Sequence, residues 1–82
     1  MESVTHDKVT FKYNDKILKI ILNNGTFSCY LFSTIIFWRY YTDGPDKRFH
    51  FDSGENSCTI TTVDQELVKF LDDLLTVRTQ NN

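Results

Sequence analysis

Asn24-Gly25 separates two runs of alternating apolar residues, "KILKIIL" (16–22) and "TFSCYLF" (26–32). That dipeptide is a strong signal for a tight β-hairpin, because both turn positions must tolerate positive φ. A second turn stands just upstream, where "VTFKY" (9–13) alternates and then meets Asn14-Asp15. Each turn constrains the other. With Asn24-Gly25 as a two-residue loop, Leu22 faces Phe27, Ile20 faces Cys29 and Leu18 faces Leu31. With Asn14-Asp15 as the other loop, Leu18 faces Phe11 and Ile20 faces Val9. Both registers put the same middle-strand residues on one face, and a one-residue slip would send a whole strand's side chains to the other side. A three-stranded antiparallel meander is expected.

A second hairpin follows the loop "TDGPDK" (42–47). With Gly54-Glu55 at its centre, Phe51 of "RFHFD" pairs with Cys58 and Phe49 with Ile60. The period then changes. Val63, Leu67, Phe70, Leu71, Leu74 and Val77 recur at helical spacing. Thr62 with Gln65 resembles a capping box, Asp64 and Glu66 suit the first turn, and Arg78 suits the last. This amphipathic helix is expected to cover one face of the sheet.

Between the hairpins lies "STIIFWRYY" (33–41). Its β-branched and aromatic residues favour a pleated surface, so it reads as a continuation of the third strand, kinked near Ser33-Thr34. The alternative is a short helix at 33–42 capped by Ser33, which gives βββαββα. As a strand it sets Ile35, Phe37 and Tyr41 toward the helix. Tyr30, Phe32, Ile36, Trp38 and Tyr40 then face away, joined by Ile17 and Ile21. The expected fold class is α+β, a five-stranded antiparallel meander sheet with one C-terminal helix packed on one face. One domain spans residues 1–82, with 1–7 a flexible arm, 9–62 the sheet and 63–78 the helix.

One helix covers only one side of such a sheet, and monomers rarely leave apolar patches above a few hundred Å² exposed without a use. The uncovered side is therefore the candidate partner-binding face, with Tyr30, Phe32, Trp38, Arg39 and Tyr40 as anchors, since Trp, Tyr and Arg dominate interface hot spots. The partner is another protein or a second copy of the chain, in a homodimer. Lys12, Lys19, Arg48 and His50 would lie beside those aromatics, which makes single-stranded nucleic acid the alternative ligand. A net charge of −2 and a pI near 5.5 argue against binding duplex DNA through bulk charge.

Signatures of catalysis are missing from the pattern. A Cys58–His50 pair would need side chains on opposite strand faces to meet. His50 and Asp52 share a face with Glu55 nearby, as ordinary polar residues of a solvated strand also do. Cys29 and Cys58 make neither a disulfide framework nor a metal quartet, and both read as small core residues. No cofactor, metal or small-molecule substrate is expected, and the chain is expected not to be an enzyme. The longest apolar run, from Phe27 to Tyr41, is about 15 residues against the roughly 20 that span a bilayer. With no signal-peptide pattern at the N-terminus, a cytoplasmic location off the membrane is expected. The chain contains no alanine and much Ile, Lys, Asn, Phe and Tyr, which points to AT-rich coding and a phage or mobile element. The expected function is a non-enzymatic protein-binding module, an inhibitor or adaptor.

Overall fold

The computed structural model describes residues 1–54 and 56–80. Within these, the chain runs through strands β1 (Glu2–His6), β2 (Val9–Tyr13), β3 (Ile17–Ile21) and β4 (Phe27–Leu31). A 3-10 turn over Phe32–Thr34 follows, then β5 (Phe37–Tyr41), β6 (Arg48–Asp52), β7 (Ser57–Thr61) and helix α1 (Gln65–Gln80). The strands form two antiparallel sheets, β1-β2-β3-β4 and β5-β6-β7. The α+β composition with a C-terminal helix holds. The single five-stranded sheet does not, and neither does the short helix at 33–42.

Two local features make the difference. The segment expected to be an arm pairs along β2, from Glu2 opposite Tyr13 to His6 opposite Val9. The two-residue turn between them, Asp7-Lys8, has φ of 48° and 68°, the left-handed geometry that matches strand twist in a hairpin. At the other end of the sheet, the 3-10 turn stops β4. Thr34 Oγ1 donates to the Leu31 carbonyl, Ile35 N–H donates to the Phe32 carbonyl, and Ile36 N–H already donates to Asp52 of β6. The kink expected at Ser33-Thr34 is real, and it transfers the chain to a second sheet.

The register of the first sheet also departs from expectation. Around the first turn the pairing shifts by two residues, so that Phe11 opposes Ile20 and Tyr13 opposes Leu18. The Asn14 side chain accepts from the Lys16 and Ile17 amides and closes that turn. An even shift preserves faces. Around the second turn the shift is odd. Leu22 pairs with Thr26, leaving a three-residue loop, Asn23-Asn24-Gly25, with Gly25 at φ 89°. That is the type I turn plus bulge, in which the glycine takes the left-handed position. Leu18 therefore opposes Tyr30, Lys19 opposes Cys29 and Ile21 opposes Phe27. Every β4 side chain lies on the side opposite to the one expected.

The second sheet pairs Phe51 with Cys58 and Phe49 with Ile60, as the alternation predicts. Glu55, assigned to the centre of that turn, lies outside the described residues. The buried core joins Phe11, Leu18, Ile20 and Tyr30 of the first sheet, Phe32 and Ile35 of the connector, and Phe49 and Phe51 of the second. Leu67, Leu71, Leu74 and Leu75 of α1 complete it. The Tyr30 and Phe51 rings meet edge to face at 4.8 Å and tie sheet to sheet. Phe70 ties the helix to the first sheet, with ring centroids 6.0 Å from Phe11 and 5.7 Å from Tyr13.

The helix begins two residues later than predicted. Asp64 is its cap, accepting from the Glu66 amide, while Thr62 accepts from the Asp64 amide one step upstream. Val63 precedes the helix and stands 74% exposed, and Val77 is exposed as well, so neither joins the buried stripe. Leu75 takes a place there instead.

Candidate interaction surface

Strand alternation gives each sheet one outward face, and the two differ in chemistry. On the first sheet the outward residues include Ile17 opposite Leu31, Ile21 opposite Phe27, and Lys19 opposite both Lys12 and Cys29. Phe27 is 60% exposed and Leu31 51%, large values for strand side chains of this size. Direct cross-strand pairing makes the members of each apolar pair neighbours, with the Lys19–Cys29 pair standing between the two pairs. The Lys19 ammonium sits 4.2 Å from the Phe27 ring centroid, so even the nearest charge lies over the aromatic surface.

On the second sheet the outward residues are Phe37, Arg39 and Tyr41 of β5, opposite Asp52, His50 and Arg48 of β6. The guanidinium groups of Arg39 and Arg48 lie 5.3 Å and 4.8 Å from the Tyr41 ring centroid. His50 Nδ1 bonds to Thr59 Oγ1 across the next strand at 2.9 Å. This face is basic and aromatic.

The anchors expected from the sequence fall elsewhere. Tyr30 and Phe32 are in the core, 8% and 1% exposed. Trp38 and Tyr40 turn toward the helix side, half-buried against the core. Trp38 Nε1 donates to Asp72 Oδ1 at 2.9 Å, and the Tyr40 hydroxyl donates to the Thr62 carbonyl at 2.8 Å. Of the five, Arg39 alone lies on an outward face. Tyr30, Phe32, Trp38 and Tyr40 do share a side, the inner one, but Ile17, Ile21 and Ile36, expected beside them, do not: Ile17 and Ile21 lie on the outward face and Ile36 is 73% exposed. The outside place of those four aromatics is taken by Phe27 and Leu31 on one sheet and by Phe37 and Tyr41 on the other. The basic set also divides, with Lys12 and Lys19 on the first sheet and Arg48 and His50 on the second. The signal that would have found Phe27 and Leu31 was loop length. Asn-Asn-Gly fits a three-residue hairpin as well as Asn-Gly fits a two-residue one.

Neither cysteine meets a histidine. Cys29, expected in the core, is exposed on the first outward face. Cys58 points inward beside Tyr30, while His50 points outward. Burial pushes the Cys58 thiol above its ordinary pKa, and a hydrogen bond with the Tyr30 hydroxyl offsets part of that rise. The Tyr30 phenol is pushed up as well, first by burial and then by Cys58. Partial burial, reinforced by the Glu2 carboxylate, raises Tyr13. All three groups are held neutral where a nucleophile or base would need the opposite. Among the described residues no His, Cys, Asp and Glu cluster of three or more is arranged to hold a metal ion. Among the same residues no helix is long and apolar enough to cross a membrane.

Comparison with protein-family models, with curated proteins and with solved structures finds no match for this chain.

Proposed function

We propose that the chain is a non-enzymatic module that binds protein through the outward face of its first sheet, and so acts as an inhibitor or adaptor by covering or bridging a partner surface. One observation carries this reading. Ile17, Ile21, Phe27 and Leu31 form two directly opposed cross-strand pairs on the outward face, with Phe27 and Leu31 left largely exposed. Apolar surface left in this arrangement gains about 25 cal/mol for each Å² removed from water, and interfaces use that gain around a few anchors. Phe27 and Leu31 are the anchors here.

A second reading has its own support. Tyr41 between Arg39 and Arg48, with His50 alongside, offers a ring for a base to stack on and cations for the phosphates. This is the single-stranded nucleic-acid alternative, relocated to the second sheet.

The two readings separate in one experiment on purified chain. Partners captured by the wild type are compared with those captured by Phe27→Lys/Leu31→Lys and by Arg39→Ala/Arg48→Ala. Retention that survives moderate salt and the arginine changes, but is lost with Phe27→Lys/Leu31→Lys, supports protein docking. Oligonucleotide binding that weakens steeply with salt and disappears with the arginine pair puts nucleic acid first. Capture indifferent to Phe27→Lys/Leu31→Lys rejects the protein-docking face.

A further inference from the structure

We infer that the β4 edge of the first sheet pairs with a second copy of the same chain, β4 to β4 in antiparallel register about a two-fold axis through Cys29. Such pairing lengthens the sheet and doubles its outward apolar face rather than covering it, so the inference goes beyond the protein-docking reading above. Three features of β4 lead to it.

The first is its position. β4 is an edge of the four-stranded sheet, with β3 on one side only. Leu22 N–H donates to Thr26 and Phe32 N–H donates to Lys16, both within the β3–β4 register. Hydrogen-bonded pairs alternate along an antiparallel ladder. The amides of Ser28 and Tyr30 therefore face β3, and those of Phe27, Cys29 and Leu31 face away from it. These are also the residues whose side chains point to the outward face.

The second is composition. Natural edge strands are commonly guarded by charge, proline or bulges. β1, the opposite edge of the sheet, carries Glu2 and His6, and β5 carries Arg39. β4 reads Phe-Ser-Cys-Tyr-Leu with no charge and no proline. Its large exposed residues are apolar, unlike the serine and threonines that β7 turns outward.

The third is self-complementarity. Full overlap of two β4 strands puts Phe27 opposite Leu31 of the other copy, Cys29 opposite Cys29, and Ser28 opposite Tyr30. All three residues with outward amides then meet their counterparts in hydrogen-bonding positions, with up to about six backbone bonds. Phe27 of each copy joins Leu31 of the other, flanked by Ile21 and Ile17, in two apolar rows on either side of the central Cys29 pair. The nearest like charges, Lys19 of each copy, stand three strand spacings apart, about 14 Å. That exceeds the screening length at physiological salt. A five-residue edge pair buries less than the ~1,200 Å² of a standard interface, so the dimer is weak, with a dissociation constant on the order of 10–100 μM.

The test uses the full chain. Sedimentation under reducing conditions from about 10 μM to about 1 mM should show the mass rising from monomer toward dimer. Phe27→Lys/Leu31→Lys, at two exposed positions and with its circular dichroism unchanged, should weaken association at least about tenfold. Opposed Cα atoms in a hydrogen-bonded pair lie about 5.5 Å apart, within disulfide reach. Diamide, which takes up the two electrons and two protons released by the thiols, should therefore link wild type and Cys58→Ser chains through Cys29, but not Cys29→Ser chains. Register is read in the Cys29→Ser background, where Phe27→Cys mixed with Leu31→Cys should cross-link several-fold faster than either alone. A monomer at the highest concentration overturns the inference. So does a dimer indifferent to Phe27→Lys/Leu31→Lys, or cross-linking without preference for the 27/31 pair. Should the chain stay monomeric while it still captures other protein through Phe27 and Leu31, the second copy is wrong and the docking face stands. If that capture fails too, both fall.

Discussion

The two sheets bury similar side chains and expose different ones. Inward, each contributes phenylalanine to a shared core, Phe11 from the first and Phe49 and Phe51 from the second. Outward, the first presents Ile17, Ile21, Phe27 and Leu31, and the second presents Tyr41 between Arg39 and Arg48. The inward residues are interchangeable in kind because packing asks only for volume and apolarity. The outward residues are not, and they are where the two sheets stop resembling each other. The contrast between the sheets therefore lies outside the core, on an apolar face and on a basic, aromatic one.

The strongest way to break the comparison is to cut what the sheets share. Phe51→Ala removes the ring that Tyr30 packs against and leaves a cavity where the sheets meet. It should cost about 3–5 kcal/mol. Chemical denaturation measures the loss. Hydrogen exchange should show protection in β3 and β6 falling together; β3 unaffected would mean that the first sheet does not depend on the second.

A smaller effect is expected at the loop that decides which way β4 faces. Gly25 holds φ at 89° with open space where a Cβ would stand, so Gly25→Ala adds strain and no clash. The expected cost is about 1–2 kcal/mol. If stability instead rises, the loop is not held in the left-handed conformation.

High pH should sharpen the contrast between inside and outside. The raised Cys58, Tyr30 and Tyr13 groups keep their protons in the folded chain at pH values where the unfolded chain has lost them. Their contribution is complete below the unfolded pKa values and is lost as pH climbs, from about pH 9 for the thiol and about pH 10 for the phenols. Midpoints of urea unfolding should fall across that range, and Cys58→Ala should flatten the earliest part of the decline. A midpoint that stays level from pH 8 to about 11 would contradict the assignment.

The outward faces should respond least in stability. Arg39→Ala/Arg48→Ala should stay within about 0.5 kcal/mol of the wild type, since exposed side chains carry little folding energy. On the nucleic-acid reading proposed above, its effect should appear as lost oligonucleotide affinity and a shallower salt dependence. A loss of more than about 1 kcal/mol would mean that the arginine–tyrosine stack serves the fold.

Several parts of the molecule follow from local pattern alone. Alternation in 48–52 and 57–61, with the turn placed at Gly54-Glu55, predicted the β6–β7 pairs Phe51–Cys58 and Phe49–Ile60. The shift from period two to period 3.6 determined the helix, and the breaker at Ser33-Thr34 determined the kink. These features depend on neighbours a few positions apart, which a linear reading can weigh. Three decisions lay beyond it. Loop length at Asn23-Asn24-Gly25 differs from its two-residue alternative by one position, and it decides whether Tyr30 or Cys29 faces the core. The kink's direction, which carries β5 into a second sheet, depends on Ile36 finding the Asp52 carbonyl 16 residues away. Which aromatics end up outside follows from both. Apolar periodicity says which side chains share a face, and the rest of the core must exist before one face becomes the inner one.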